Sequence, residues 1–405
     1  MERTGRDITD LATARERGEE QRGDMMQRLQ LLDSAAVDAV TDTRKLVMQP
    51  ILPEGNEPGA MLITADNGGN VRMLPTQGAH ECLVAKVFSK VRLTRRAYDD
   101  MLTRYPVELS LLGNSIMSAE PEKRLLRMHE AREGLNLEAL APYGATYALR
   151  AMLSNSYRPI NHLELVQMLL AQADQAGAWV HSWQLTETRF NIKFVTEARE
   201  LQLLKQDPRF RDLPAKQRSF EFGATVWNSE TGHSSFSMED YFLYLYCING
   251  WVVTEKWRVT HLGRRLSEDD DSYFQLDTKR VDNAALFMKA RDRFARSLVP
   301  DTQLEQTLAN SIGDAAGDVF EEAPSFAFIE NVGKGFDMQE GEQEMLAEEY
   351  LAGHNSSRWG VSNAVTAVAR RINDDNAARG HELEKLGWDV LRDEAHKTID
   401  ILSRN

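Results

Sequence analysis

The chain has 405 residues, 42% of them hydrophobic and 27% charged, which suits a globular protein large enough for two or three domains. Its only two cysteines, Cys82 and Cys247, lie far apart, which argues against a disulfide framework or a cysteine-built zinc site and points to a reducing cytosol. No signal-peptide core follows Met1, and no run of about 18 apolar residues is present to cross a membrane.

In chain order, residues 1–45 form a polar N-terminal segment. Its first twenty residues are too poor in apolar side chains to pack, and Leu29, Leu32, Ala36 and Val40 predict one helix over 24–42. Pro50, Pro53 and Pro58 predict a turn-rich break. A small α+β region over 46–150 begins with a hairpin, 61–64 and 71–74, turned by Asp66-Asn67-Gly68-Gly69-Asn70. Helical patterns follow over 79–90, 94–104, 119–133 and 143–153.

The core, 151–300, opens with a helix over 160–176, capped by Asn161 and stopped by Gly177. Strands are expected at 178–185 and 189–195, the second alternating so cleanly that it reads as half-buried. A long loop over 197–218 leads to a hairpin, 220–227 and 234–238, with Ser229 to His233 at its tip. An aromatic buried strand over 241–246 ends at a turn on Asn249-Gly250, and a helix covers 280–298. The C-terminal region, 301–405, is expected to be helical near 340–352, 361–372 and 378–402. The fold class is therefore α+β: a central antiparallel, hairpin-rich sheet flanked by helices, with mostly helical terminal regions.

The net charge of −14 argues against a nucleic-acid binder only until its distribution is considered. Residues 301–405 carry 21 Asp/Glu and 9 Lys/Arg, so residues 1–300 are nearly neutral. Within 86–132, ten Lys/Arg face six Asp/Glu.

Phosphate-cradling and dinucleotide glycine motifs are missing, and Gly333-Lys334-Gly335 is too short to replace them. The nine histidines show no paired metal-ligand spacing, and His80-Glu81-Cys82 would point in different directions on a helix. Asp269, Asp270 and Asp271 read as a solvated loop. No cofactor or metal is expected. Single-strand binding needs cations for phosphates and rings for bases. Tyr157, Arg158, His181, Trp183, Arg189, Lys193 and Trp227, then Lys256, Trp257, Arg258, His261, Arg264 and Arg265, supply both. Whether the rings face a groove or a core is open.

Several strings are more specific than their chemistry. Ser154-Asn155-Ser156-Tyr157-Arg158-Pro159-Ile160 with His162 resembles a motif of the uncharacterised phage/plasmid-like protein family. Asn228-Ser229-Glu230-Thr231-Gly232, Cys247-Ile248-Asn249-Gly250, His261-Leu262-Gly263-Arg264 and Trp359-Gly360-Val361-Ser362-Asn363-Ala364-Val365-Thr366 resemble others, in the same order over about 120–370. The resemblance implies a phage or plasmid setting without an established reaction. The order of elements also resembles the β-β-β-α core of ring-forming single-strand annealing proteins, with Lys289, Arg291, Arg293 and Arg296 on the helix. That similarity implies a positively charged groove for single-stranded DNA, and makes a homo-oligomer an open expectation.

The leading expectation is single-stranded nucleic-acid binding or annealing in phage replication or recombination. Its acidic C-terminal region would recruit a host or phage protein, or compete with DNA for the basic groove. Two alternatives stay open. One is a protein-interaction module without nucleic acid. The other is an enzyme assembled from scattered groups such as His162, Asn228, Glu230, His233 and His261, with Glu230 and His233 as an acid–base pair.

Overall fold

The computed structural model describes residues 11–52, 60–66, 70–132, 135, 138–259, 272–299, 302–319, 329, 333–335, 337–353, 355–373 and 375–392. Within them the architecture is α+β, with two mostly antiparallel sheets and a helical C-terminal region.

The chain starts with α1 (Leu11–Ala35) and passes directly into β1 (Ala36–Asp42), so the predicted helix over 24–42 ends seven residues early. Ala36 and Val40 instead pair with His129 and Leu125. β2 (Leu46–Ile51), β3 (Ala60–Asp66) and β4 (Asn70–Pro75) follow, the last two as the expected hairpin. The hairpin's tip, 67–69, lies outside the described residues.

Helices α2 (Gln77–Lys86), α3 (Arg95–Arg104) and α4 (Pro106–Ala119) come next, α4 unforeseen. The segments expected as helices over 119–133 and 143–153 are strands, β5 (Lys123–Glu130) and β6 (Tyr147–Ser154). The first sheet runs β1-β5-β6-β4-β3-β2, and only β4 and β6 pair in parallel. Met48, Met73, Leu126, Leu149 and Met152 of this sheet pack with Leu83, Phe88, Tyr98, Leu109 and Met117 of the helical layer.

β2 is an edge strand, yet it offers little to a further strand. Asn114 of α4 accepts from Met48 N at 2.7 Å and donates to Met48 O at 3.0 Å. Pro50, within the strand rather than in a break, has no N–H to offer.

α5 (His162–Ala176) matches its expectation closely. The Asn161 side chain accepts from Glu164 N, and Gly177 ends the helix in the left-handed region at φ +67°. β7 (Trp179–Leu185) and β8 (Phe190–Val195) form a hairpin. The expected loop over 197–218 holds a two-residue strand, β9 (Arg199–Glu200), and a short helix, α6 (Gln202–Gln206).

β10 (Ser219–Asn228), β11 (Phe236–Tyr244) and β12 (Asn249–Val259) complete the second sheet, ordered β12-β11-β10-β8-β7 with β9 beside β10. The strands expected at 234–238 and 241–246 are thus one strand, carried across a register shift between Glu239 and Tyr241. Asn249 and Gly250 open β12 rather than form its turn; the positive φ of +56° falls on Ile248.

α7 (Ser272–Leu298) starts earlier than expected and packs with α5 on one face of this sheet, alongside Met25 and Leu29 of α1. α8 (Thr302–Gly317), α9 (Glu340–Gly353), α10 (Arg358–Asn373) and α11 (Ala377–Arg392) form the C-terminal layer. α11 packs on β12, while Trp388 and Leu391 join the cluster built on Phe220, Phe222, Phe242 and Trp251. Residues 269–271 lie outside the described residues.

Candidate functional site

Two junctions collect most of the motif residues. At the first, the segment after β10 is inserted between the sheets. Asn228 Nδ2 donates to Ile160 O at 2.8 Å and to His162 Nδ1 at 2.9 Å. Glu230 Oε1 accepts from the His162 backbone N–H at 2.8 Å, in the first turn of α5, where the helix dipole favours a carboxylate. Its Oε2 accepts from Arg150 Nη1 at 3.0 Å. Arg127 donates to the Glu230 carbonyl at 2.9 Å and to Asp38 of β1 at 2.9 Å. Arg150 also donates to His129 Nε2 at 3.1 Å and to Glu187 O at 3.3 Å.

Burial pushes the Glu230 carboxyl up, but His162 and the guanidiniums of Arg127 and Arg150 hold it far below the usual range. His129 goes the other way, to about 3, through burial and the nearby Arg150. The Tyr157 hydroxyl donates to Ser229 O at 2.9 Å. Gly232 sits at φ +81°, where a Cβ would lie 2.8 Å from Leu153 Cδ2. The tip ends with His233, whose Nδ1 is 2.9 Å from Thr231 Oγ1 and whose Nε2 is 3.1 Å from Glu81. The crevice beside Glu230 and Arg150 measures about 10 Å³, room for one water and no substrate. Glu230 is therefore a locked, ionised connector, and Glu230 and His233 are not brought together as an acid–base pair.

At the second junction, Asn249 Nδ2 donates to Asn363 O at 2.9 Å, and Trp251 Nε1 donates to Ser362 Oγ at 2.9 Å. The Trp251 and Trp359 rings stack at 5.4 Å and 17°. Gly250 is required because a Cβ there would meet the Tyr241 hydroxyl at 2.1 Å.

The residues expected to hold nucleic acid divide into inside and outside. Tyr157, Lys193 and Trp227 are buried, at 7%, 4% and 8% exposure, so in this structure they are covered by protein and not open as rings or a cation. Trp183 is half-buried and packs on the apolar core of the second sheet, and Arg158 is half-buried. Arg189 and Arg258 are exposed, as are Lys289, Arg291 and Arg296 of α7. Arg293 is tied to Asp240 of β11 by two contacts of 2.9 Å. The Lys256 side chain, His261, Arg264 and Arg265 lie outside the described residues.

Lys193 does not stand alone. It pairs across the sheet with Thr225, which pairs with Glu239, so the three share one face. α11 meets that face with charge: Glu384 lies 2.5 Å from Lys193 Nζ, His381 lies 2.8 Å from Glu239, and Lys385 also contacts Glu239. The His381 ring packs on Trp227 at 5.0 Å, and Lys193 lies over Tyr241 at 5.0 Å. Burial would raise the Glu239 carboxyl, but His381 and Lys385 outweigh it and hold it low.

The sequence reading missed Arg127, Arg150, Glu239, His381 and Glu384. A signal was present in single arginines inside apolar runs, Leu125-Leu126-Arg127-Met128 and Ala148-Leu149-Arg150-Ala151. Buried cations of this kind require an anion from elsewhere in the fold. Among the described residues no group of three or more His, Cys, Asp or Glu is placed to hold a metal, and no helix is long and apolar enough to cross a membrane. Compared with protein-family models, curated proteins and solved structures, the chain matches none.

Proposed function

We propose that this chain is a single-stranded nucleic-acid-binding protein of the phage- or plasmid-borne kind that its motif strings resemble, serving replication or recombination. The observation that carries the reading is α7. It packs on the antiparallel meander β7-β8-β10-β11-β12 through Ala290, Phe294 and Leu298, and presents Lys289, Arg291 and Arg296 to solvent, with Arg291 paired to the exposed Asp292 at 3.2 Å. A sheet backed by a helix with an outward cationic face supplies phosphate contacts without sequence readout. Arg189 and Arg258 add cations at a hairpin and at the edge strand.

The test is fluorescence anisotropy of labelled single- and double-stranded oligonucleotides over a salt series. Tight single-strand binding with a linear log–log salt dependence is expected. Lys289→Gln with Arg296→Gln should lower that slope by about two. No binding at low salt rejects the reading.

A protein partner is the second reading. Tyr105, Val107 and Leu111 at the start of α4 are exposed at 51%, 40% and 64%, an apolar group on an otherwise polar helix surface. Binding of neither strand type, with salt-insensitive capture of a protein, would favour it.

A further inference from the structure

The face of the meander that carries Lys193 is built unlike a core. Asn191, Lys193, Thr225, Trp227, Ser237 and Glu239 occupy one end of it, all buried, while Glu221 and the apolar cluster of Val195, Tyr241, Leu243 and Val252 continue the same face. A sheet face meant only to receive a helix is normally apolar, because each buried charge costs desolvation that a methyl group does not. α11 answers this face with a matching set: an anion on the cation, a cation on the anion, and an imidazole on the indole. The match is incomplete. Trp227 Nε1, Ser237 Oγ and Glu384 Oε2 are buried without a hydrogen-bond partner. Native interiors leave few such atoms, because an unpartnered buried donor or acceptor has given up its water without replacement.

We propose that this polar face is itself a binding surface for single-stranded nucleic acid, and that α11 is its resident competitor, with Glu384 placed on Lys193 where a phosphate would sit. The inference rests on the function proposed above. A carboxylate and a phosphate oxygen are equivalent acceptors for an ammonium group, and Trp227 and Tyr241 supply rings on which bases stack. The unpaired indole N–H and serine hydroxyl are donors that a phosphate or base edge satisfies and the side chains of α11 do not. α9, α10 and α11 keep an apolar core of their own, including Leu346, Val361, Val365, Val368, Leu383 and Val390. Lifting them from this face therefore uncovers charges and rings, while that core stays closed. The tryptophan cluster of Trp251, Trp359 and Trp388 is the apolar contact that opposes release.

The experiment uses the full chain and a labelled thymidine oligonucleotide at low salt. Glu384→Gln removes the competing charge and should tighten binding about tenfold, equivalent to about 1.4 kcal/mol. Lys193→Gln should weaken binding, and the double variant should lose the gain of Glu384→Gln. Hydrogen exchange of residues 377–385 should speed up when wild-type protein is saturated with the oligonucleotide. If Glu384→Gln fails to fold, Lys385→Ala loosens α11 at its other charged contact, with Glu239, and should also tighten binding. Wild-type binding that neither Glu384→Gln nor Lys193→Gln alters, with unchanged exchange in α11, overturns the competition and leaves the α7 reading intact. No binding by any folded variant overturns both.

Discussion

On β8, Phe190, Ile192 and Phe194 face α5 and α7, while Asn191 and Lys193 face the other way, and all five are buried. The same division continues on β10, with Ala224 and Val226 against Thr225 and Trp227, and on β11, with Phe236 and Met238 against Ser237 and Glu239. One face is held by apolar contact, which is tolerant of direction. The other adds to a small apolar cluster a set of charges, Lys193 with Glu384 and Glu239 with His381 and Lys385, whose partners are specific. Alternation along a strand therefore reports the polarity of its two faces, not their exposure. β8 reads as half-buried because its polar face is covered by a helix more than 180 residues later in the chain.

The largest effect is expected on the apolar face. Phe194 is fully buried and meets Phe294 edge-to-face at 4.9 Å, so Phe194→Ala should cost about 3–5 kcal/mol in a denaturant melt. A cost below about 1 kcal/mol would mean that this face is not the principal core.

The polar face should behave differently. Lys193→Met strands Glu384 in the interior and should cost roughly 3 kcal/mol, whereas Lys193→Met with Glu384→Leu should recover most of it. Equal losses in the single and double variants would show that the pair, and not the orphaned charge, matters.

Glu221 sharpens the contrast through pH. It lies on the same strand face as Thr225, and burial pushes its carboxyl up to about 7. Its folded value exceeds its unfolded one, so the native state binds the extra proton. The penalty is absent below the unfolded value, near pH 4.3, grows as pH rises to about 7, and then stays at roughly 3–4 kcal/mol. Glu221→Gln should flatten that decline in thermal melts between pH 5 and 8, and an unchanged slope would assign it to another group. Glu230 runs oppositely: its lowered carboxyl stabilises above its unfolded value and loses that contribution as pH falls below it.

The smallest effect is at the start of α5, where Asn161→Ala should cost about 1 kcal/mol by removing the side-chain acceptor for Glu164 N.

That helix shows what was legible. Asn161, the apolar spacing and Gly177 are local signals, and the element falls where they put it. The hairpins β3–β4 and β10–β11 were legible for the same reason. β5 and β6 were not. Lys123-Arg124-Leu125-Leu126-Arg127-Met128-His129-Glu130 is made of good helix formers, yet it lies inside the first sheet. Strand pairing on both sides, and the Asp38 carboxylate and Glu230 carbonyl that accept from Arg127, override local propensity. The candidate sites followed the same rule. Motif residues were recognisable, but their roles depend on partners such as Arg150 and Glu384, which no spacing connects to them.

The direct passage from α1 into β1 bears on synthesis. β1 finds its partner only when residues 123–130 exist, and α1 its own only when 162–185 exist. While the ribosome works through the first half of the chain, the amino-terminal segment must wait unsheltered. A nascent chain halted before residue 160 should be chaperone-bound and readily cut within residues 11–42. One halted well beyond residue 185 should begin to resist.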